Sequence, residues 1–382
     1  MGLGNVGSGV ANALLSQMDF LSVRVNRSLN LRKVLVRDPS KHSNSQVPPQ
    51  LLTTNPEDIL DDPDIHIIVE LIGGTEPTTA YLEHAVTAGK HVVTANKEVM
   101  SKNGPDLLAL ARRKQVRLLF EASVGGGIPI VGSLMNQLVA NEIQSIRSII
   151  NGTTNYILTQ MAYHRAGFQQ ALTEAQAHGY AEADPTNDVE GFDAAYKLSI
   201  LASLGFHRRI GPDDVYRQGI SQLNPKDFQY AEELGYAIKF LAIATQNNGD
   251  IQARVYPAFI PRDHMLAKVD GVYNAVEITG HLCGQVLFHG QGAGREATTS
   301  AVMGDVMEIA RNLGQPTPQV PVLAPETHGS TRAIGDLKCK YYLRLNVADQ
   351  PGVLAEIANI LGKGGISLAS VLQKDADAAA QT

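Results

Sequence analysis

The chain has 382 residues, of which 44% are hydrophobic and 18% charged, and its formal net charge is −6. That length accommodates two or three domains with sizeable cores, and the mild acidity gives no footing for nucleic acid or an anionic membrane as partner. Two distant cysteines, Cys283 and Cys339, exclude a disulfide framework, no apolar run approaches a membrane span, and the N-terminus lacks a secretory pattern, so cytoplasm is the expected compartment.

The chain opens on a glycine-rich turn, Gly2-Leu3-Gly4-Asn5-Val6-Gly7. Three glycines at this spacing permit a tight turn and a close approach of backbone to a pyrophosphate. The helix behind it, with Val6, Val10, Leu14 and Met18 at helical spacing, offers free N–H groups and a positive dipole end. Such a turn should follow a strand, but only Met1 precedes it. The central strand is therefore expected to be missing and its neighbours to lack a ladder partner. Lys33–Val36 reads as a short buried strand, and residues 65–72 as a parallel strand covered on both faces. Residues 77–90 read as a helix with Pro77 near its start and Gly89 at its end. His91–Ala95 is a strand, Pro105–Lys114 a helix and Val116–Phe120 a strand. The alternation predicts an α/β fold, a Rossmann-type doubly wound parallel sheet over residues 1–128.

Chemistry-bearing residues punctuate this half. Arg37 stands where an acidic residue would hold a ribose 2′-hydroxyl; an arginine there favours a 2′-phosphate, hence NADP over NAD, against the alternative of an ordinary loop arginine. Lys97 follows the C-terminal end of a strand, where ligands bind in open α/β sheets, but a solvated helix-start lysine fits the position equally well. The run Gly125–Gly127 after Glu121 exposes carbonyls that could ring a hard cation with Glu121 as charge partner. By itself the run favours a hinge.

Mixed helices and strands then fill residues 129–314, an α+β domain whose last helix is expected to pack back on the first domain. Its densest chemistry is Gly179–Lys197, where Glu182, Asp184, Asp188, Glu190 and Asp193 precede Lys197. Asp193 and Lys197 are i and i+4, on one helical face. In a cleft, such an aspartate can orient an ammonium that gives a proton to a carbonyl oxygen, and the acids suit a cationic substrate group such as an α-amine. A surface salt bridge and helix-capping acids are the plainer alternatives. No His or Cys joins the acids and the spacing is not that of an EF-hand. His178, His207, His281 and His289 are scattered and read as structural, and neither cysteine has a catalytic setting. Residues 315–338, rich in Pro and polar residues, read as a linker. Residues 339–382 read as strand, turn, helix, glycine turn, strand.

These blocks resemble the homoserine dehydrogenases. Ala175 to Lys197 carries that family's signature of Gly-Tyr-Ala, Asp-Pro, Asp-Val, Gly-Phe-Asp and Lys, and Asn151–Leu158, Thr94–Lys97 and Glu121–Ile130 are similar to its other blocks. The resemblance runs from Gly2 to about residue 314, and residues 349–361 resemble part of an ACT domain. It implies interconversion of L-aspartate 4-semialdehyde and L-homoserine with NADP or NAD, on the route to threonine, methionine and isoleucine. It makes Lys197 the proton donor to the carbonyl oxygen, Asp193 its acidic neighbour, Glu182 a substrate ligand, and Lys97 a residue at the cofactor–substrate junction. Gly2, Gly4, Asn5, Val6, Gly7 and Arg37 fall where the family holds the dinucleotide, with Gly292 and Gly294 as a late glycine block. Glu121, Val124, Gly126 and Ile128 match a monovalent cation site, usually sodium. A homodimer or homotetramer is implied. An ACT unit normally has two βαβ halves; here one is present, which implies weak effector regulation. Two other readings stand beside this one. An aspartate semialdehyde dehydrogenase on the same scaffold would need a nucleophilic cysteine near a histidine. A non-catalytic amino-acid or nucleotide sensor would have no need of Glu182, Asp193 and Lys197 together.

Overall fold

In the computed structural model, which describes residues 1–247, 249–315, 331–348 and 350–374, the glycine turn leads directly into α1 (Asn5–Ser16) and α2 (Met18–Val25). There follow β1 (Val34–Leu35), β2 (Leu52–Thr53), the one-turn α3 (Glu57–Leu60), β3 (Ile67–Glu70), α4 (Thr78–Thr87), β4 (His91–Thr94), α5 (Lys97–Lys102), α6 (Gly104–Arg113) and β5 (Leu118–Leu119). All the pairings are parallel: β1 with β2, and β4 between β3 and β5. Ile68, Val92 and Val93 are sealed from solvent, as expected of parallel strands with helices on both faces.

The predicted gap in this sheet is partly filled. The Met1 ammonium donates to the Val69 carbonyl at 2.7 Å. Leu71 N–H donates to the Met1 carbonyl and Gly2 N–H to the Leu35 carbonyl, each at 2.9 Å. Met1 and Gly2 thus occupy the slot between β1 and β3, joining the two ladders with three hydrogen bonds. The expectation that both neighbours lack a partner is corrected at this level. Burial of the amine lowers its pKa from 8.0 to about 6, against the opposing charge of Glu70.

The second half is built on one six-stranded sheet. Its elements are β6 (Ile143–Ile149), α7 (Gly152–His164), α8 (Phe168–Ala177), α9 (Thr186–Val189), α10 (Phe192–Phe206), β7 (Tyr216–Arg217), α11 (Pro225–Glu233), β8 (Tyr236–Asn247), β9 (Asp250–Pro261), β10 (Tyr273–Gly280), β11 (Gly284–Gln291) and α12 (Arg295–Arg311). The strand order is β11-β10-β6-β8-β9-β7, antiparallel except where β7 meets β9. Period-2 alternation divides β8 between two clusters: Ile238, Phe240, Ala242 and Ala244 share the main core with α7 and α10, while Leu241 and Ile243 join Ile149, Ile260 and Ala275 in another. In α10 every residue from Lys197 to Phe206 is buried, the mark of a helix inside the protein rather than on its surface.

The chain then returns. Val302, Met303, Val306 and Ile309 of α12 share a cluster with Val10, Leu21, Val93 and Ala122 of the first half. Asp305 Oδ2 accepts from Glu121 N–H at 2.9 Å.

Beyond residue 315 the predicted linker falls largely on 316–330, and the chain end on 375–382, both outside the described residues. Thr331 makes an isolated parallel bridge to Ile251. Tyr342 stacks on Phe259 with centroids 4.5 Å apart, and Arg344 Nε donates to Asp227 Oδ1 at 2.6 Å. The predicted tail helix is α13 (Val353–Lys363). The two predicted tail strands are not formed among the described residues. A strand exists only as part of a ladder, and here Leu343, Leu345, Ile366 and Leu368 stay exposed with no neighbouring strand. Among the described residues no helix is long and apolar enough to cross a membrane.

Candidate active site

The opening turn has the shape of a phosphate cradle. Gly2 has φ +90°, and a Cβ there would stand 2.7 Å from the Leu71 carbonyl oxygen. A Cβ on Gly7 would stand 2.3 Å from the Gly2 carbonyl oxygen, so α1 crosses the turn at a distance only glycine allows. A Cβ on Gly4 would meet open space. Gly4 is also the N-cap of α1, so no side chain there caps the first N–H groups of the helix. One glycine makes the turn, one leaves room, and one lets helix and strand touch: the division of labour that dinucleotide binding requires. The Val6 side chain points elsewhere, into the cluster shared with α12.

Arg37 lies two residues past β1, exposed and without a hydrogen bond or ion pair among the described residues. Gly292 has a packing reason to be glycine, since a Cβ there would collide with the Asn274 amide at 2.0 Å. Gly294, at φ +113°, caps α12 and borders open space.

The other centre lies where the two halves meet. Asn96 accepts from Val99 N–H at 3.1 Å and so caps α5, leaving Lys97 as its first residue. Lys97 Nζ reaches Asp193 Oδ1 at 2.5 Å. On the other oxygen, Lys197 Nζ donates to Asp193 Oδ2 at 2.7 Å and also to the Ile150 carbonyl at 2.9 Å. One carboxylate, 3% exposed, thus receives two ammonium groups from two halves of the molecule. Burial alone would raise the Asp193 pKa; the charges and hydrogen bonds of Lys197 and Lys97 overcome it and hold the group well below the usual carboxylate range. Burial lowers the Lys197 pKa, and Lys97 adds to that, with Asp193 opposing. Burial also pulls Lys97 down, but Asp193, helped by Asp188 and Glu182, outweighs it and raises its pKa.

Asn151, which the sequence reading did not single out, sits beside this pair. Its Nδ2 donates to Asp188 Oδ1 at 2.7 Å and to Asp193 Oδ2 at 2.9 Å. Asp188 is raised by burial and by Asp193, against that hydrogen bond and Lys197. Glu182 is exposed on the loop above, near enough for its charge to act on Lys97 but outside the hydrogen-bonded cluster. Asp184 Oδ1 instead accepts from Thr186 N–H at 3.1 Å and Thr186 Oγ1 at 2.6 Å.

At the glycine run, the Glu121 carboxylate is held by the backbone that follows it. Its two carboxylate oxygens accept from Val131 N–H at 2.8 Å and Gly132 N–H at 2.6 Å. What the loop can offer a hard cation is backbone carbonyls. Those of Val124 and Gly126 receive no hydrogen bond among the described residues, while that of Ile128 accepts from Ile130 N–H at 2.9 Å. Gly126 packs on the late glycine block, with a Cβ position 2.5 Å from the Gly292 carbonyl oxygen. Of the four scattered histidines, His281 Nδ1 accepts from Glu142 N–H, His289 stacks on Tyr273, His207 ends α10 and His178 lies against Tyr180.

Comparison with known proteins identifies the family. Residues 2–121 match the family model described as homoserine dehydrogenase, NAD binding domain, and residues 129–307 match the homoserine dehydrogenase model. A homoserine dehydrogenase of Synechocystis sp. is 44% identical over 98% of this chain and 88% of its own length. One of Bacillus subtilis is 38% identical over 98% of this chain and 86% of its own. The crystal structure of a homoserine dehydrogenase from Thiobacillus denitrificans superposes with a TM-score of 0.87 at 42% identity, covering 98% of this chain and 87% of that one. The chain belongs to the homoserine dehydrogenase family.

Proposed function

We propose that this oxidoreductase interconverts L-aspartate 4-semialdehyde and L-homoserine, on the route to threonine, methionine and isoleucine, with NADP preferred over NAD. The observation that carries the reading is the buried Asp193 carboxylate held between Lys97 and Lys197 at the junction of the two halves. Gly2, Gly4, Asn5, Val6 and Gly7 would hold the pyrophosphate, Arg37 the 2′-phosphate, and Gly294 the approach along α12. A nicotinamide dinucleotide bound there supplies the hydride.

The protein's share is electrostatics and one proton. An ammonium has three donors. Lys197 spends one on the Ile150 carbonyl and one on Asp193, which leaves one for the substrate oxygen. As the aldehyde carbon gains hydride, negative charge grows on that oxygen. Lys197 stabilises the charge and then gives up its proton, leaving a neutral amine and a hydroxyl; the reverse reaction returns the proton. Its lowered pKa eases that transfer. Asp193 fixes the ammonium's direction, and Lys97 adds positive field at the same carboxylate. Glu182, with Asp188 beneath it, supplies negative charge for the substrate's α-ammonium.

Four further assignments belong to this reading. A monovalent cation, sodium by family resemblance, would rest on the carbonyls of Glu121, Val124, Gly126 and Ile128. The domains are 1–128 for the dinucleotide, 129–314 for catalysis and oligomerisation, 315–338 as linker, and 339–382 as a partial ACT unit. The working form is a homodimer or homotetramer. The compartment is the cytoplasm. The decisive experiment is turnover of L-homoserine with NADP and NAD by the wild type and Lys197→Ala. Turnover lost in the variant, with the fold intact, supports the reading; turnover retained, or absent from the wild type, overturns it.

A further inference from the structure

We propose that Asn151 is a positioning residue of this reaction: its single side-chain amide clamps Asp193 and Asp188 side by side and so aims the free N–H of Lys197. The proposal rests on the reading of Lys197 as proton donor. The amide is used on both sides. Its Oδ1 accepts from Thr154 N–H at 2.8 Å and Thr154 Oγ1 at 2.9 Å, capping α7. With the oxygen so committed, the two N–H donors face the acids, 2.7 Å from Asp188 Oδ1 and 2.9 Å from Asp193 Oδ2.

Three features make this more than a helix cap. First, residues 150 and 151 touch both members of the catalytic pair: the Ile150 carbonyl accepts from Lys197, and the Asn151 amide donates to Asp193. The ammonium and its carboxylate are thereby referred to one rigid point, the joint between β6 and α7. Second, Lys97 holds Asp193 Oδ1, while Oδ2 takes bonds from both Lys197 and Asn151; the amide is thus the second anchor on the oxygen that aims the Lys197 ammonium. Third, Asp188 and Asp193 repel each other, and a neutral double donor lets two carboxylates share a site without a proton between them.

The charged groups facing the amide come from every packed element: Asp193 and Lys197 from α10, Asp188 from α9, Lys97 from α5, and Glu182 from the loop before α9. Loss of the donor removes a bond that lowers the Asp188 pKa, so its carboxyl should protonate at a higher pH.

The test separates aiming from capping. Ser and Asp are both good N-caps, so Asn151→Ser and Asn151→Asp keep α7 capped while removing the two donors. The expected result is a fall in kcat of about 10- to 100-fold with an unchanged KM for NADP in both variants, and, in Asn151→Ser, a near-normal thermal midpoint and an acid limb of the kcat/KM profile moved upward. Normal kcat and pH profile in both variants would overturn the proposal, as would loss of the folded state in both by circular dichroism, which would assign Asn151 to the cap alone. Lys197→Ala is measured alongside. If it loses turnover while the Asn151 variants do not, only the present proposal fails; if it keeps turnover, the catalytic reading itself fails.

Discussion

Lys97 and Lys197 hold opposite oxygens of one carboxylate. Lys97 opens a helix of the dinucleotide half and Lys197 lies inside a helix of the catalytic half, yet they approach Asp193 to 2.5 Å and 2.7 Å. A positioned acid is worth roughly 10²–10⁴ in rate. Lys197→Ala and Asp193→Asn should lower kcat by that order with the fold retained. Asp193→Ala should in addition destabilise the protein by about 3–5 kcal/mol, since it strands the buried Lys197 ammonium. Glu182→Ala, at an exposed position, should chiefly raise KM for homoserine. Steady-state kinetics with thermal melts separates the three outcomes.

The turn glycines should fail in different ways. Gly7→Ala places a methyl 2.3 Å from the Gly2 carbonyl oxygen, so the thermal midpoint should drop. Gly4→Ala meets nothing in the free protein; its midpoint should hold while the NADP dissociation constant rises. Calorimetric melting beside cofactor titration checks both. Equal melting losses in the two variants would contradict the assignment of Gly4 to the ligand side.

Arg37 provides the cofactor test. A hydrogen bond to a charged group is worth roughly 1.5–3 kcal/mol, so Arg37→Ala should weaken NADP by that amount and leave NAD nearly unchanged. Equal losses with both dinucleotides would show that Arg37 does not read the 2′-phosphate.

At the N-terminus the sign of the pH effect is fixed by an amine whose pKa falls from 8.0 to about 6 on folding. Between those values the unfolded chain holds the proton and the folded chain does not, so stability rises with pH across that window. Below it both states are charged and the full penalty applies, on the order of 2–3 kcal/mol; above it the penalty is gone. Prepending about six apolar residues, a typical strand length, converts the amine to a peptide and extends the ladder beyond Met1. The extended chain should melt higher, bind NADP more tightly and lose this part of the pH slope. Identical melting and affinity in the two chains would exclude a stabilising role for a longer strand at this position.

The tail should respond weakly to amino acids. α13 has no buried residue: its own Leu354 and Ile360 lie exposed, as does Leu345 before it. Sub-millimolar threonine should leave the rate of this chain unchanged in an inhibition assay; marked inhibition at that concentration would show that these residues form an effector site.

Much of the fold is legible because its signals are local. The apolar run at 65–72 became β3, Pro105 entered the first turn of α6, and the i,i+4 spacing of Asp193 and Lys197 became a buried ion pair. What escaped is non-local or too short. β2 has two residues and no period to detect. Lys97 is ambiguous by position, and what sets it apart is an ion pair with a carboxylate on another helix. Asn151 was not singled out: it caps α7, and its contacts to the acids join residues 37 and 42 positions apart. The tail failed in the opposite sense: alternating Tyr, Leu and Val residues have strand character, but propensity alone makes no ladder.

The return of α12 bears on how the protein comes into being. The inner wall behind Val10, Leu21 and Val93 is made of Val302, Met303, Val306 and Ile309. On the ribosome, those four residues follow Ala122 by about 180 positions, which at 5–20 residues per second is a delay of roughly 10–40 s. Throughout that interval the nascent dinucleotide half carries an uncovered apolar surface. The half that is made first is therefore finished last, and its vulnerable period during synthesis is set by the length of the catalytic half.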